Sequence, residues 1–404
     1  MNLKGIKHFI LISFLGMGSV FAENTERLMP SYLNDLDFSY YSAQPGTSFY
    51  SREFNIFYTQ RAVHQCQLSE NDIRDKLNSL NFWANLENAI PMAKEKWINL
   101  DVTIAIDGFS TLYPSRSSYF LEHFPTHEKH IIGLDCRLLK TPLLASKIAH
   151  EMVHAFLQPH QLPIWLEEMI AQTVESDFNL DYLKNAKAYI AKMNYFPNPL
   201  LNKKPFAGSD RYALNLLLSE YLRQAFFKSH FWRDLLTAAP TMNPGDDFSN
   251  AELFSFVRKK SKTAPAWVPR RLDEKTLLKH FYLALVLNQQ DQNQRGVFNI
   301  DGWQGFQTPP VKSLRSLGDS IVLESSSAIR LDFNLAKTLF SQNKPIDKHL
   351  YEIFIIESSF NEFRITDAKN LDWSTYVLAP EKTYEVLFIN SAESNIVIPA
   401  TTYP

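Results

Sequence analysis

The chain has 404 residues and a formal net charge of −2; 45% of its residues are hydrophobic and only 12 are glycine. This composition suits packed globular domains and argues against disorder and collagen-like repeats. The near-neutral charge gives no reason to expect a nucleic acid or an anionic membrane surface as partner.

The N-terminus has the pattern of a secretory signal peptide. Lys4 and Lys7 give a positive n-region, residues 9–15 an apolar core, and residues 20–22 a small-residue cleavage site. We therefore expect residues 1–22 to be removed during export, so that the mature protein is periplasmic or secreted. Because no later apolar run reaches membrane-spanning length, we expect no transmembrane segment in the mature chain.

Residues 23–140 predict an N-terminal lobe of mixed α and β structure. Residues 71–97 carry apolar side chains at helical spacing and predict a helix that Pro91 kinks or interrupts. Strands are expected where β-formers or alternating apolar residues occur, over residues 53–63, 100–106 and 130–134.

The two cysteines of the chain, Cys66 and Cys136, both lie in this lobe. In an oxidising compartment, a pair of cysteines in one domain favours a disulfide over a metal site. Two free buried thiols would give the same sequence pattern and remain the alternative.

The motif H-E-x-x-H occurs at residues 150–154. His150 and His154 lie one turn apart on one face of a helix, so both imidazoles can reach a single zinc ion. Glu151 faces the same pocket and can take a proton from a zinc-bound water near neutral pH. Thr141 and Pro142 predict the start of this helix, and Pro159 marks its end.

A second helix is predicted to follow Pro163. A tetrahedral catalytic zinc needs three protein ligands and an open position, so the third ligand must come from an element that packs back on the first helix. The short connection 158–162 allows such an antiparallel return. Glu167 and Glu168 compete for the role, since neighbours on a helix are about 100° apart and cannot face the metal equally.

H-E-x-x-H followed by P-x-W-L-x-E-x-x-A, here Pro163 to Ala171, resembles the gluzincin metallopeptidases, in particular the bacterial peptidase-MA-like families. The resemblance covers roughly residues 141–172. It implies an α+β, thermolysin-like or aminopeptidase-N-like catalytic domain with a helical second lobe. It also implies one Zn²⁺ per chain, held by His150, His154 and Glu168.

Three details refine this expectation. Met169 stands where the family usually has glycine, and it could narrow the site or pack between the helices. Gln172, one turn after Glu168, is expected to accept a hydrogen bond from a ligand histidine, with a solvated helix-face residue as the alternative. Residues 131–135 are our candidate for a sheet edge that binds an extended peptide; an interior strand is the alternative.

Residues 141–290 are predicted to contain the zinc-binding helices and the helical lobe. Related enzymes often supply a tyrosine or histidine from this region to the oxyanion. Tyr212 and His230 are therefore candidates for stabilising the tetrahedral intermediate, and packing or surface roles are the alternative. Further helices are expected at residues 181–193, 209–227, 250–260 and 273–288.

Residues 311–404 differ in composition and predict a small antiparallel β-sandwich. Its role could be packing against the catalytic lobe or binding a substrate or surface. The β-type runs, divided by turn residues, are 321–324, 327–333, 350–356, 363–366, 376–379 and 384–390.

The sequence therefore predicts an exported zinc peptidase acting on a peptide or protein. Glu151 would deprotonate the water and pass the proton to the leaving amine. The G-x-M-E-N stretch with which the aminopeptidase N family captures a free amino terminus is absent, which favours an endopeptidase. The alternatives are an exported binding or adhesion protein with a catalytically silent gluzincin-like domain, and a zinc hydrolase of a non-peptide amide.

Overall fold

The fold is described from a computed structural model of the chain. Within the residues it describes, no helix combines the length and apolar character needed to cross a membrane. The described residues are 46–50, 54–80, 82–89, 101–108, 118–121, 129–157, 162–200, 209–225, 254–255, 259, 273–287, 300, 303–313, 320–341, 350–359 and 363–399. The expected signal peptide, residues 1–22, lies outside them.

The N-terminal region contains a five-stranded mixed sheet in the order β1-β2-β3-β5-β4. Strands β2, β3 and β5 are parallel, while β1 and β4 pair antiparallel at the two edges. The strands are β1 (Gly46–Tyr50), β2 (Asn55–Thr59), β3 (Asp101–Asp107), β4 (Ser118–Leu121) and β5 (Lys129–Asp135).

This strand order corrects the edge assignment made for residues 131–135. Strand β5 lies between β3 and β4, and its residues 131–135 are buried. The edge is β4 instead, a short strand that the sequence pattern did not predict. Residues 118–121 thus form this edge of the described sheet, and β4 lies against the helix that carries H-E-x-x-H.

Among the described residues, three helices follow β2 and precede β3: α1 (Gln60–Cys66), α2 (Glu70–Asn78) and α3 (Phe82–Ala89). The strand predicted over 53–63 ends at Thr59, because the Thr59 hydroxyl caps α1 by accepting from the backbone N–H of Ala62 at 3.1 Å. The helix predicted over 71–97 is divided, since α2 ends at Asn78 and α3 starts at Phe82. Pro91 lies outside the described residues.

A disulfide joins Cys66 at the end of α1 to Cys136, with the two Cα atoms 6.1 Å apart. Cys136 begins a 3-10 helix, Cys136–Lys140, directly after β5. The Lys140 ammonium adds a second tie by donating to the carbonyl of Cys66 at 2.6 Å. The chain is thus anchored to α1 just before it enters the helix of the H-E-x-x-H motif.

The motif helix is α4 (Leu144–Leu157), and the helix after Pro163 is α5 (Ile164–Phe178). Thr141 precedes α4, and its hydroxyl accepts from the backbone N–H of Leu143 at 3.2 Å. Both helices are buried along nearly their whole length. In the described part of this lobe, three more helices follow: α6 (Leu180–Ile190), α7 (Ser209–Ala225) and α8 (Glu274–Val286). Of residues 250–260, only Phe254, Ser255 and Lys259 are described.

The C-terminal region forms an antiparallel sheet in the order β10-β9-β11-β8-β6, beside a β12-β7 pair. Strand β6 (Tyr195–Phe196) comes from the helical lobe rather than from the C-terminal region. The other elements are β7 (Ser320–Leu323), β8 (Ala328–Asp332), α9 (Phe333–Ser341), β9 (Tyr351–Ser358), β10 (Phe363–Asp367), β11 (Thr383–Asn390) and β12 (Ile396–Pro399).

This arrangement differs from the predicted β-sandwich, because helices cover the two faces of the five-stranded sheet. In β11, Val386 and Phe388 pack in a cluster with α9, while Leu387 and Ile389 join the core that includes α8. The run 327–333 continues into α9 at Phe333. Residues 376–379 contain no strand. The expected second sheet is replaced by α9 on one face and the helical lobe on the other.

Candidate metal centre

Three side chains from α4 and α5 bring metal-ligand atoms to one point. The Nε2 atoms of His150 and His154 are 3.3 Å apart. The Glu168 carboxylate lies 3.6 Å from Nε2 of His150 and 3.7 Å from Nε2 of His154. All three residues are buried, and their ligand atoms are close enough to one another to hold a metal ion.

These separations suit a zinc ion. Tetrahedral zinc, with bonds of about 2.0–2.2 Å to nitrogen and oxygen, holds its ligand atoms roughly 3.3–3.5 Å apart. The two Nε2 atoms and the Glu168 carboxylate, here called the donor triangle, have separations close to that size, with Oε2 of Glu168 nearer His150 and Oε1 nearer His154. Three protein ligands leave the fourth position open. Two imidazoles and one carboxylate are also a donor set that zinc accepts in catalytic sites. The residues present therefore fit the metal that the motif implies.

The helical geometry explains why these residues meet. His150 and His154 are one turn apart on α4, so their rings lie on the same face. The contacts between the helices occur in reverse order along the two chains: His150 is near Glu175, and the later His154 is near the earlier Glu167. Helices α4 and α5 are therefore antiparallel, and Glu168 lies opposite the two histidines.

Glu167 is not among the three clustered donors, although it is adjacent to Glu168. Its carboxylate lies 2.8 Å from Nδ1 of His154, on the side of the ring that faces away from the cluster. A carboxylate at this nitrogen fixes the ring orientation and favours the tautomer that presents Nε2 to a metal. The two competing glutamates are thus both used, one at each side of the His154 ring.

His150 has a corresponding partner that the sequence reasoning missed. Its Nδ1 lies 2.9 Å from one carboxylate oxygen of Glu175, and the other oxygen is 3.0 Å from the ammonium of Lys147. Lys147 is itself buried and lies 5.8 Å from the centre of the Tyr182 ring on α6. Helical spacing could have indicated both residues, since Glu175 is seven residues after Glu168 and Lys147 three before His150.

The role expected for Gln172 is wrong. Glu175 lies at Nδ1 of His150 and Glu167 at Nδ1 of His154, so Gln172 has no free ring nitrogen to reach. Gln172 is completely buried, and its side-chain amide has no hydrogen-bond partner among the described residues. The solvated alternative is wrong as well.

Negative charge is concentrated around the cluster, where four glutamates are buried. Burial raises the pKa of Glu168, the charges of Glu167 and Glu151 raise it further, and the two histidines only partly oppose this. A divalent cation at the three donor atoms would relieve this penalty, because it favours the charged carboxylate. The four residues are Glu151, Glu167, Glu168 and Glu175.

The pKa of Glu175, which pairs with Lys147 beside His150, is shifted in the opposite direction from that of Glu168. Burial alone would raise the pKa of Glu175, but Lys147 and His150 together lower it. Burial likewise disfavours protonated His150, yet the Glu175 carboxylate 2.9 Å from its Nδ1, with the charges of Glu151 and Glu168, raises its pKa. Glu175 is thereby held as a carboxylate against the ring of His150.

Glu151 lies between the two histidine ligands on α4 and is 3% exposed. Its charge raises the pKa of both His150 and Glu168. A carboxylate here can exchange a proton with a molecule bound at the open position of the metal.

Of the other candidate residues, the structure describes Tyr212 and Met169. Tyr212, on α7, is 2% exposed and belongs to the hydrophobic core. His230 lies outside the described residues. Met169 is buried in the same core, so the departure from glycine contributes to packing between helices.

Helix α7 supports α5 from the side. The Asn215 amide donates to the backbone carbonyl of Trp165 at 2.8 Å, and the hydroxyls of Thr173 and Ser219 are hydrogen-bonded to each other. These polar contacts set the position of α5 along its length. By fixing α5 along its axis relative to α7, they help to keep the glutamates of α5 level with the histidines of α4.

A second group, Cys66, Asp135 and Cys136, also places possible ligand atoms close together. Its two sulfurs are bonded to each other, and the Asp135 carboxylate pairs with Arg137 at 2.7 Å. This group is therefore a cross-link and an ion pair.

No protein-family model, curated protein or solved structure matches the chain.

Proposed function

We propose that the protein is an exported zinc-dependent peptidase, with one Zn²⁺ per chain. The observation that carries the proposal is the convergence of His150, His154 and Glu168: the two Nε2 atoms are 3.3 Å apart, and each has one oxygen of the Glu168 carboxylate at 3.6–3.7 Å. The resemblance of these motifs to the gluzincins adds support, although it covers only roughly residues 141–172.

A bound zinc ion lowers the pKa of a coordinated water and polarises the oxygen of a carbonyl group. Glu151 accepts the proton from the attacking water and delivers it to the leaving amine. Glu167 and Glu175 hold the rings of His154 and His150 in the orientation that presents Nε2 to the metal. Tyr212 and His230 remain candidates for stabilising the oxyanion.

Strand β4 supports a peptide as substrate. It ends the described sheet and lies against α4, so its outer edge can pair with an extended chain beside the candidate metal centre. Pairing along the backbone suits a polypeptide better than a small amide. The absence of a G-x-M-E-N stretch favours cleavage within a chain over removal of the first residue.

Export is proposed from the pattern of residues 1–22. The disulfide between Cys66 and Cys136 is in keeping with it, because such bonds persist in oxidising compartments. We propose a periplasmic or secreted location, with a peptide or protein substrate and no nucleic-acid partner.

The test compares the purified protein with its Glu151→Gln variant. We expect one zinc per chain in both, and cleavage of denatured casein and of a mixed peptide library by the unchanged protein only. Glutamine is nearly isosteric with glutamate but cannot accept the proton, so it removes turnover without removing the metal.

Three outcomes would contradict parts of the proposal. Equal cleavage by both proteins would remove Glu151 from the mechanism. One zinc in each with no cleavage of any peptide would favour the silent binding or adhesion protein. Absence of zinc from both would reject the metal centre itself.

A further inference from the structure

The buried ammonium of Lys147 lies three residues before the first ligand histidine. Lys147 is 4% exposed, on a helix whose buried face is otherwise largely apolar. Taking an ammonium out of water is costly unless it meets an opposite charge. That charge is the Glu175 carboxylate of α5, 3.0 Å away.

The same carboxylate connects Lys147 to the metal centre. Oε1 of Glu175 faces Lys147, and Oε2 lies 2.9 Å from Nδ1 of His150. With one oxygen held by the ammonium, the carboxylate cannot rotate without breaking a buried ion pair. The other oxygen is consequently kept at Nδ1 of His150, whose Nε2 belongs to the donor triangle.

A third helix fixes the ammonium. The Tyr182 ring of α6 is 3% exposed, and its centre lies 5.8 Å from Nζ of Lys147. An ammonium within about 6 Å of an aromatic face is attracted to it. Lys147 on α4, Glu175 on α5 and Tyr182 on α6 therefore meet directly behind the His150 ring.

We propose that Lys147 is a positioning residue for the metal centre, acting through Glu175 on the orientation and basicity of His150. This inference rests on the proposed function, because it concerns how the same site holds its metal. Partners of ligand histidines typically change metal affinity about tenfold to a hundredfold when they are removed.

The experiment measures the zinc dissociation constant by chelator competition and the visible absorption spectrum of the Co²⁺-loaded protein. For Lys147→Met we expect zinc to bind about tenfold to a hundredfold more weakly and the Co²⁺ bands to shift. Lys147→Arg retains the charge and the donors, and we expect it to restore most of the affinity.

A double-variant cycle tests whether Lys147 acts through Glu175. In the Glu175→Gln background the ion pair is already lost, so adding Lys147→Met should cause little further change in zinc affinity. An undiminished effect of Lys147→Met in that background would contradict the proposed route.

Lys279→Met is the matched control. Lys279 lies on α8, with its ammonium 3.2 Å from Glu352 and 5.8 Å from the centre of the Phe354 ring. It repeats the contacts of Lys147 away from α4 and α5. We expect this variant to keep the zinc dissociation constant and the Co²⁺ spectrum of the unchanged protein.

Failure of this inference is distinct from failure of the proposed function. If the unchanged protein binds no zinc, the proposed function falls first. If it binds zinc and Lys147→Met has the same affinity and Co²⁺ spectrum, only the role of Lys147 is rejected. Should Lys147→Met not fold, Lys147→Gln keeps a hydrogen-bond donor without the charge, and unchanged values in that variant reject the role equally.

Discussion

The donor triangle and the C-terminal sheet both bury charge, and they do so in different ways. Around the donor triangle, four buried carboxylates meet two imidazoles and, among the described residues, one ammonium. In the C-terminal sheet, the buried guanidinium of Arg330 pairs with Glu385 at 2.7 Å. Two further oxygens accept from it, at Asn194 and Thr308, and the Phe306 ring lies 3.9 Å from its Cζ.

The difference supports the proposal that the donor triangle receives a cation. The Arg330 group supplies its own opposite charge and acceptors, so it can stabilise the fold without a ligand. At the donor triangle, burial and neighbouring charges raise the pKa of Glu168, so the charged carboxylate is held at a cost. A buried group kept under such a penalty is characteristic of a functional site.

The largest expected effect is at the donor triangle. Replacing His154 by Ala removes one of three ligand atoms and leaves a pair that holds zinc poorly. We expect the variant to lose both bound zinc and all measurable peptide cleavage, while circular dichroism shows a folded protein. Stoichiometric zinc in the purified variant would exclude His154 as a ligand.

At the Arg330 group we expect loss of stability without loss of metal. Arg330→Met leaves the Glu385 carboxylate without its partner and should lower the free energy of unfolding by about 3–5 kcal/mol. Urea unfolding measures the change, and metal analysis of the folded fraction should still give one zinc per chain. A drop in zinc content would mean that the two regions are coupled.

Metal removal should lower the free energy of unfolding by an amount that grows with the logarithm of the affinity for zinc. At free zinc about a thousandfold above the dissociation constant, binding contributes about 4 kcal/mol to the free energy of unfolding. Chelation should therefore lower the melting temperature, and added zinc should restore it. The same chelator should leave the melting temperature of the His154→Ala variant unchanged.

The smallest effect concerns pH and the metal-free protein. The pKa of Glu168 is higher in the folded protein than in the unfolded chain. Its contribution to stability is therefore fully present at pH values below the ordinary pKa of a carboxyl group, and it is lost as the pH rises through the raised pKa. We expect metal-free Glu168→Gln to be more stable than the metal-free parent at neutral pH, by about 1–3 kcal/mol.

Denaturant unfolding across pH measures this difference, which should disappear as the pH falls below the ordinary carboxyl range. With zinc present the order should reverse, since the variant lacks a ligand. Equal stability of the two metal-free proteins at neutral pH would indicate that burial of Glu168 carries no penalty.

The donor triangle could be predicted because the spacing of residues along a helix determines which side chains share a face. His150 and His154 needed only the helix, and Glu168 needed in addition the motif resemblance. Helical spacing places Glu175 and Lys147 on the same helix faces as the ligands, but it could not assign their pairing with each other and with His150. Their contacts depend on the height at which α4 and α5 pack, and that height is set partly by α7 through Asn215.

The C-terminal sheet shows a different limit of sequence reasoning. Residues 386–389 of β11 are all buried, with no polar alternation, because both faces of the sheet are covered. A continuous apolar run of this kind indicates a doubly covered strand but does not identify what covers it. Helix α9 was missed because it follows β8 without a loop, at Phe333.

Strand β6 has a consequence for how this protein could have been assembled in evolution. Phe196 pairs with Ala328, so two residues from the helical lobe complete a sheet that is otherwise C-terminal. Leu387 and Ile389 of that sheet are buried in the core shared with α8. Recombination that moved only residues 311–404 to another protein would transfer an incomplete sheet with an uncovered apolar face. The C-terminal unit and the helices that cover it are therefore expected to be inherited together.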